Sequence, residues 1–346
     1  MKILGIETSC DETAAAVVES AGERRLELLS NVVASQIDVH KVFGGVVPEV
    51  AARNHIEVMN PVIQEALDKA SCNWSDIDAI GVTKGPGLSG SLLIGALAAR
   101  TLAFAKKKPL FGVNHVLAHA YVNFLLDPPP QFPILALIVS GGHSQLVLFE
   151  DHLKYRILGQ TQDDAVGEAY DKVAKIIGLP YPGGPSIEAK AKQGDSEKYR
   201  FPKAKMTGKY DFSFSGLKTA VLRKAQEITG QDYNFPSFEL SELLNDTQVA
   251  DIAASFQKTA IDTLVDKAVM AFEEFAPKSV IIGGGVAANQ ALRGVLAERL
   301  PIEINYAAMN LCTDNAAMIA TLAYYEAQAR QPDDAMVLEI NPSLSM

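Results

Sequence analysis

His115 and His119 stand four residues apart in the segment His115-Val116-Leu117-Ala118-His119. On an α-helix that spacing places both imidazoles on one face, one turn apart, where they can reach a single metal ion. The same pair on an ordinary helix would be two solvated or hydrogen-bonded histidines, so the spacing alone leaves both readings open. A zinc-protease helix is excluded, because that chemistry needs Glu directly after the first histidine and Val116 occupies the position. The best candidate for a third ligand is Asp314, in Cys312-Thr313-Asp314-Asn315. Its competing assignment is a helix N-cap. Two histidines and a carboxylate leave coordination positions open, which suits non-haem iron or zinc that must also bind substrate.

Two glycine turns offer a different chemistry. Ser140-Gly141-Gly142 follows a wholly apolar run, and Gly283-Gly284-Gly285 follows another. Glycines at the end of a buried strand let backbone N–H groups approach an anion such as phosphate. A simple tight turn explains a Gly-Gly pair equally well. The second run is not the dinucleotide fingerprint, since Ala288 stands where GxGxxG requires its last glycine. Residues 198–210 interleave Lys198, Arg200, Lys203, Lys205 and Lys209 with Tyr199, Phe201 and Tyr210. That pattern either holds phosphates and stacks unpaired bases or is a solvated loop. Lys106-Lys107-Lys108 reads as a helix C-terminus complementing its dipole.

The elements that must position these groups can be read from local patterning. Residues 2–19 predict strand, polar turn, strand. A helix follows over about 48–70, then strand 78–83, a Gly/Pro/Ser loop, a helix to about Lys106, and strand 110–113 leading into the histidine helix. Asp127-Pro128-Pro129-Pro130 ends that helix and reads as a linker. Directly after it the opening pattern recurs, with strand 134–139, turn Ser140–Ser144 and strand 145–149. Later come a helix near 163–177, a turn at Pro182-Gly183-Gly184-Pro185 and an amphipathic helix near 247–275. Strand 279–282, a helix opening near Asn289, a helix over about 314–329 and a polar tail complete the chain. Alternating strands and helices with a repeated opening unit predict an α/β protein of two similar lobes with an interlobe cleft. Residues 1–128 plus about 315–346 would form the first lobe and 129–314 the second.

The composition suits a globular protein: 346 residues, 48% hydrophobic and 21% charged. No apolar run approaches the length of a membrane span. Three scattered cysteines form no CxxC, which fits a reducing cytoplasm. Met1-Lys2 leads straight into a strand pattern, so no leader segment is expected. A net charge of −10 argues against non-specific nucleic-acid coating and leaves room for a local basic patch or a basic partner.

A longer set of segments resembles one family. In order along residues 3 to about 325 stand Gly5-Ile6-Glu7-Thr8-Ser9-Cys10-Asp11-Glu12-Thr13, Gly44-Gly45-Val46-Val47-Pro48-Glu49, Gly85-Pro86-Gly87-Leu88 and the histidine pair. Val139-Ser140-Gly141-Gly142-His143, the run from Asp163 to Lys172, Tyr181-Pro182-Gly183-Gly184-Pro185, the run from Asp211 to Thr219 and Cys312-Thr313-Asp314-Asn315 follow. Together they resemble the bacterial TsaD family of tRNA N6-adenosine threonylcarbamoyltransferases, formerly described as glycoproteases. The departures are small: Ser144 stands where the family commonly has Thr, Tyr170 where Phe is frequent, and the 227–246 segment is longer than usual.

The resemblance implies the duplicated two-lobed fold shared by actin-like ATPases, sugar kinases and Hsp70. It implies transfer of a threonylcarbamoyl group from threonylcarbamoyl-AMP to the N6 amine of adenosine 37 in tRNAs reading codons that begin with A. By the same resemblance His115, His119 and Asp314 hold one divalent metal ion per subunit, with Fe2+ favoured over Zn2+. Ile138, Val139, Ser140, Gly141, Gly142, Asp171, Gly184 and Asn289 would line the adenylate pocket, with Asp171 on the ribose. Asp11 and Glu12 would be needed for activity. The implied partners are TsaB, pairing through the first lobe, the ATPase TsaE, a TsaC-type supplier of the adenylate, and the tRNA anticodon loop. The helices near 49–70 and 89–106 are the expected partner face. Competing functions are carbamoyl transfer to a small molecule, a sugar kinase in which the histidine pair has no purpose, and a nucleotide-sensing scaffold.

Overall fold

A computed structural model describes residues 1–20, 22 and 25–346. It divides into two compact units. The first comprises Met1–Pro130, Asp151–Lys154 and Tyr306–Met346, and the second comprises Gln131–Glu150 and Tyr155–Asn305. Asp314 therefore lies in the first unit, whose third segment begins at Tyr306 rather than near residue 315.

In chain order the elements are β1 (Lys2–Glu7), β2 (Glu12–Ser20), β3 (Leu26–Ser35), α1 (Ile37–His40), α2 (Pro48–Lys69), β4 (Ala79–Gly85), α3 (Ser89–Lys106), β5 (Leu110–Asn114) and α4 (His115–Tyr121). They continue with β6 (Ile134–Val139), β7 (Ser144–Asp151), β8 (Lys154–Gln160), α5 (Val166–Ile176), α6 (Gly183–Ala191), α7 (Ser215–Ile228) and α8 (Asp246–Phe275). Last come β9 (Ser279–Gly283), α9 (Gln290–Arg299), β10 (Ile304–Tyr306) and α10 (Ala316–Ala329). The sheet orders are β3-β2-β1-β4-β5 and β10-β9-β6-β7-β8. Read from opposite ends they are one topology twice. In each, an antiparallel pair opens the unit (β1 with β2, β6 with β7) and a later strand joins the first in parallel (β4, β9).

The pleat explains how the first sheet is covered. Leu4 and Ile6 on β1, with Ala15 and Val17 on β2, bury against Met59, Val62, Ile63 and Ala66 of α2. Gly5 points the other way, where an added Cβ would lie 2.4 Å from the Ala316 carbonyl oxygen of α10. Any larger residue there would push α10 off the sheet. Since Asp314 lies just ahead of that helix, this close approach helps set where its carboxylate sits.

Five elements escape the local patterns, β3, α1, β8, β10 and α7. In α7 only Leu217, Val221, Ala225 and Gln226 are buried, a stripe too narrow to stand out. The expected turn at Pro182–Pro185 is instead the start of α6, with Pro182 as its N-cap. Pro185 is accommodated there because the first helical turn needs no amide donor. The tail also folds back. Arg100 donates to the carbonyls of Ala335 and Met336, and the Asn341 amide donates to Lys84 O at 2.7 Å. No helix among the described residues is long and apolar enough to cross a membrane.

The Asp151–Lys154 segment contributes His152 to an aromatic group of the first unit. Its ring stacks on Tyr325 at 3.9 Å between centroids and lies 4.7 Å from Phe124. Burial, only partly offset by Asp151, pushes the His152 imidazole down to about 4. Between that value and the ordinary pKa near 6.5, the unfolded chain binds a proton that the folded chain refuses. This contribution to stability is therefore intact above about pH 6.5 and lost as pH falls toward 4. Urea midpoints of wild type and His152→Phe should converge as pH is lowered from 7 to 4.5, with the wild type losing more.

Candidate functional site

The histidine helix starts where β5 ends. Asn114, the last residue of β5, accepts a hydrogen bond on Oδ1 from the Leu117 amide at 3.0 Å and so caps α4. That cap fixes His115 as the first helical residue and His119 one turn on, with both side chains buried. The third group arrives from the segment before α10. Asn315, not Asp314, is the N-cap of that helix, accepting from the Met318 amide at 3.1 Å while its Nδ2 donates to Leu311 O and Thr313 O. The capping role thus belongs to the neighbouring residue, and the Asp314 carboxylate faces the histidines. Its Oδ1 lies 3.6 Å from His115 Nε2 and 3.3 Å from His119 Nε2. One ligand atom from each of the three residues lies within 4.8 Å of the others.

A buried carboxylate orients His115. Glu7, fully buried at the end of β1, approaches His115 Nδ1 at 3.1 Å through Oε2, and Ser9 Oγ lies 3.1 Å from the same nitrogen. Glu7 is itself held by Thr83 Oγ1 at 2.6 Å and by the Ser9 amide. Burial raises the Glu7 carboxyl, but the attraction of His115 more than offsets it, so the group sits below its ordinary range. A carboxylate only accepts, so Nδ1 of His115 carries the proton and Nε2 is turned toward Asp314. Burial lowers the His115 imidazole, yet Asp314 and Glu7 bring it up to about 9 in the metal-free protein.

His119 is the informative member. It is 1% exposed, and among the described residues neither of its ring nitrogens makes a hydrogen bond, the Asp314 carboxylate lying 3.3 Å from Nε2. A buried imidazole without a hydrogen bond costs stability unless something satisfies it. A metal ion held by His115 Nε2, His119 and Asp314 would do so, and the donor set fits one divalent ion. Glu7, Ser9 and Thr83 were not among the residues expected from the sequence. The available signal was Glu7 itself, a charged residue ending an otherwise apolar strand.

Asp11 and Glu12 lie in the β1–β2 turn and join this electrostatic group. Glu12 is pushed up to about 10 by burial, then by the carboxylates of Asp314 and Asp11, while Ser35 Oγ donates to it at 3.2 Å.

In the second unit the two glycine turns meet. Gly284 has φ +91°, and a Cβ there would lie 2.3 Å from Val139 O and 3.2 Å from Ser140 Cβ. The N-terminus of α5 closes in from another side, its Gly167 amide donating to Ser140 O at 3.2 Å. Open space lies in front of Gly141, Gly142, Gly184 and Gly285, where an added Cβ would meet nothing within 4 Å. Gly284→Ala is expected to destabilise by ~1–3 kcal/mol through backbone strain, whereas Gly285→Ala should be near neutral. Urea midpoints at unchanged slope would read the difference.

The remaining expected pocket residues are placed as follows. Ile138 and Val139 are wholly buried in β6, so only their backbone can meet a ligand. Asp171 Oδ1 accepts from the Gly183 amide at 2.7 Å, tying α5 to the start of α6. Asn289 caps α9 through Leu292 N at 2.9 Å and donates to Gln257 Oε1 at 3.0 Å. In the 198–210 segment, Lys203 pairs with Asp266 at 2.6 Å, and Lys209 and Tyr210 both engage Glu274. Those basic groups are neutralised by acids of α8, which ties the segment to that helix.

Comparison with known proteins places this chain. The family model described as "TsaD: tRNA N6-adenosine threonylcarbamoyltransferase" matches residues 27–321. The chain belongs to the TsaD family. The tRNA N6-adenosine threonylcarbamoyltransferase of Symbiobacterium thermophilum is 53% identical over 326 residues, covering 93% of this chain and 91% of that protein. Its counterpart in Thermomicrobium roseum is 49% identical over 343 residues, covering 95% and 92%. As a TsaD-family chain the protein is a transferase enzyme, and the fold comparisons agree with the duplicated sheets. Full-length HypF, in its phosphate- and nucleotide-bound form, matches with a TM-score of 0.57 at 13% identity, over 96% of this chain and 56% of that one. Component A of the (R)-2-hydroxyglutaryl-CoA dehydratase of Acidaminococcus fermentans matches with a TM-score of 0.50 at 15% identity, over 95% and 100%. At such identities these likenesses carry the fold alone, which is that of the actin-like ATPases and sugar kinases.

Proposed function

We propose that this TsaD-family enzyme transfers the threonylcarbamoyl group of threonylcarbamoyl-AMP to N6 of adenosine 37 in tRNAs reading A-initial codons. The observation that carries the reading is the His115–His119–Asp314 cluster, with a buried imidazole that makes no hydrogen bond among the described residues, in a chain of this family. The N6 lone pair attacks the carbamoyl carbonyl, the bond from that carbon to the phosphate oxygen breaks, AMP leaves, and N6 gives up a proton. The donor is a mixed anhydride, so alignment and charge stabilisation matter more than a strong nucleophile.

His115, His119 and Asp314 would hold the metal, Fe2+ in preference to Zn2+, and a divalent ion there would supply positive charge toward the donor's oxygens. Glu7 keeps His115 in the tautomer that presents Nε2. The exposed backbone of Gly141 and Gly142 receives phosphate, Ile138 to Ser140 and Gly184 flank the nucleotide, Asp171 takes the ribose and Asn289 shapes the base pocket. Asp11 accepts the proton from N6, with Glu12 beside it. The reaction runs in the cytoplasm with TsaB, TsaE and a TsaC-type adenylate supplier. The first unit carries the TsaB surface, for which Ile56 on α2 and Leu93, Leu97 and Phe104 on α3 are exposed apolar side chains.

The test is reconstitution with these partners, ATP, bicarbonate, labelled threonine and tRNA. Label is expected in tRNAs that read A-initial codons. Label passing instead to small hydroxylated acceptors supplied in place of tRNA would overturn the reading in favour of a small-molecule carbamoyltransferase. Adenylate binding with no transfer to either acceptor would mark a nucleotide-sensing scaffold.

A further inference from the structure

The backbone of the turn that carries Asp11 and Glu12 is held from three directions. Ser9 O accepts from the Leu88 amide at 2.7 Å, ahead of α3, and Asp11 O accepts from the Gln36 amide at 3.0 Å, beyond β3. Between them, Cys10 O accepts from two side chains, Ser91 Oγ of α3 and His55 Nε2 of α2, each at 3.0 Å. Ser91 is tied into the same turn, since its own carbonyl accepts from Thr8 Oγ1 at 2.9 Å.

His55 is fully buried, and both of its nitrogens are used within this turn and the strand that follows. A carbonyl can only accept, so Nε2 carries the proton and Nδ1 accepts from Thr13 Oγ1 at 2.7 Å. Burial lowers the His55 imidazole, which keeps it in the neutral form that this donor-and-acceptor arrangement requires. One ring thereby spans the two acidic residues, gripping the residue before Asp11 and the residue after Glu12. A purely apolar side chain would fill the same space and grip neither.

We propose that His55 is a positioning residue for the transfer reaction, holding the Cys10–Thr13 turn so that Asp11 and Glu12 keep their place beside the metal ligands. The proposal rests on the reading that those two carboxyl groups serve the chemistry. It assigns His55 no contact with substrate. Its loss should therefore act on kcat, through misplacement of Asp11 and Glu12, and spare both donor binding in the second unit and metal binding by His115, His119 and Asp314.

The test compares wild type, His55→Phe and His55→Gln, metal-loaded and reconstituted with partners and tRNA. Hydrogen exchange of the Thr8–Thr13 peptide is followed alongside kcat, KM for threonylcarbamoyl-AMP and metal content. In His55→Phe the turn should exchange at least about tenfold faster, and kcat should fall roughly ten- to hundredfold at unchanged KM and metal content. His55→Gln, which can again donate to Cys10 O, should recover most of both losses. Turn exchange at the wild-type rate in His55→Phe, an unchanged kcat, or a fall that merely tracks lost metal would each overturn the proposal. If His55→Phe does not fold, Ser91→Ala serves instead, because it removes the other donor to Cys10 O, and unchanged turn exchange there is equally contrary. Wild-type protein that leaves tRNA unmodified would count against the proposed function, while the exchange measurement would still decide the role of His55.

Discussion

His119→Leu should abolish metal binding and tRNA modification while leaving the metal-free protein at least as stable as the wild type. The imidazole it replaces is 1% exposed and, among the described residues, makes no hydrogen bond through either nitrogen. An apolar side chain of similar volume removes that unsatisfied group and can return about 1–3 kcal/mol to the metal-free fold. Asp314→Ala, at a side chain 21% exposed, should likewise strip the metal without unfolding the protein. His115→Ala differs in kind. It leaves Glu7 fully buried and without its cationic partner, which costs on the order of 3–5 kcal/mol in addition to the metal. Metal content by elemental analysis, with urea unfolding of metal-free samples, separates the three variants. Full metal occupancy in His119→Leu or Asp314→Ala would show that the cluster is not the metal site.

The second large effect is expected one layer further in. Glu7→Gln preserves the size of the side chain but removes the charge that holds His115 in position and raises its basicity. Metal affinity should fall about 10–100-fold, as for other carboxylates that orient a ligating histidine. Glutamine also brings an NH2 group into a site where Thr83 Oγ1, the Ser9 amide and the His115 ring all need an acceptor. Competition with a chromophoric chelator measures the affinity. A value within twofold of the wild type would remove Glu7 from the metal centre.

Much of this site was legible in the sequence because its signals are local. A four-residue spacing on a helix identifies the histidine pair, and two glycine runs after buried strands identify the turns that meet in the second unit. What remained hidden depends on tertiary neighbours. Whether Asp314 caps α10 or faces the histidines turns on a single position, and Asn315 takes the cap because its side chain reaches the Met318 amide. The role of Glu7 required knowing that β4 brings Thr83 and α4 brings His115 to the end of β1. Pro182–Pro185 carries every mark of a turn, yet Gly183 packs against Asp171 closely enough to start a helix there. The repeated strand–turn–strand opening disclosed the duplication, but the pairing of β3 and β8 at the sheets is not encoded in any strong alternation of their own.

The most direct measurement supplies synthetic threonylcarbamoyl-AMP to the metal-loaded enzyme with TsaB, TsaE and a tRNA reading an A-initial codon, which removes the adenylate-forming step. Nucleoside mass spectrometry and AMP release are followed together. One AMP released for each threonylcarbamoyl group gained at adenosine 37, with neither product formed by His119→Leu, is the predicted result. Consumption of the adenylate with no modified nucleoside, or modification at the wild-type rate by His119→Leu, would contradict it.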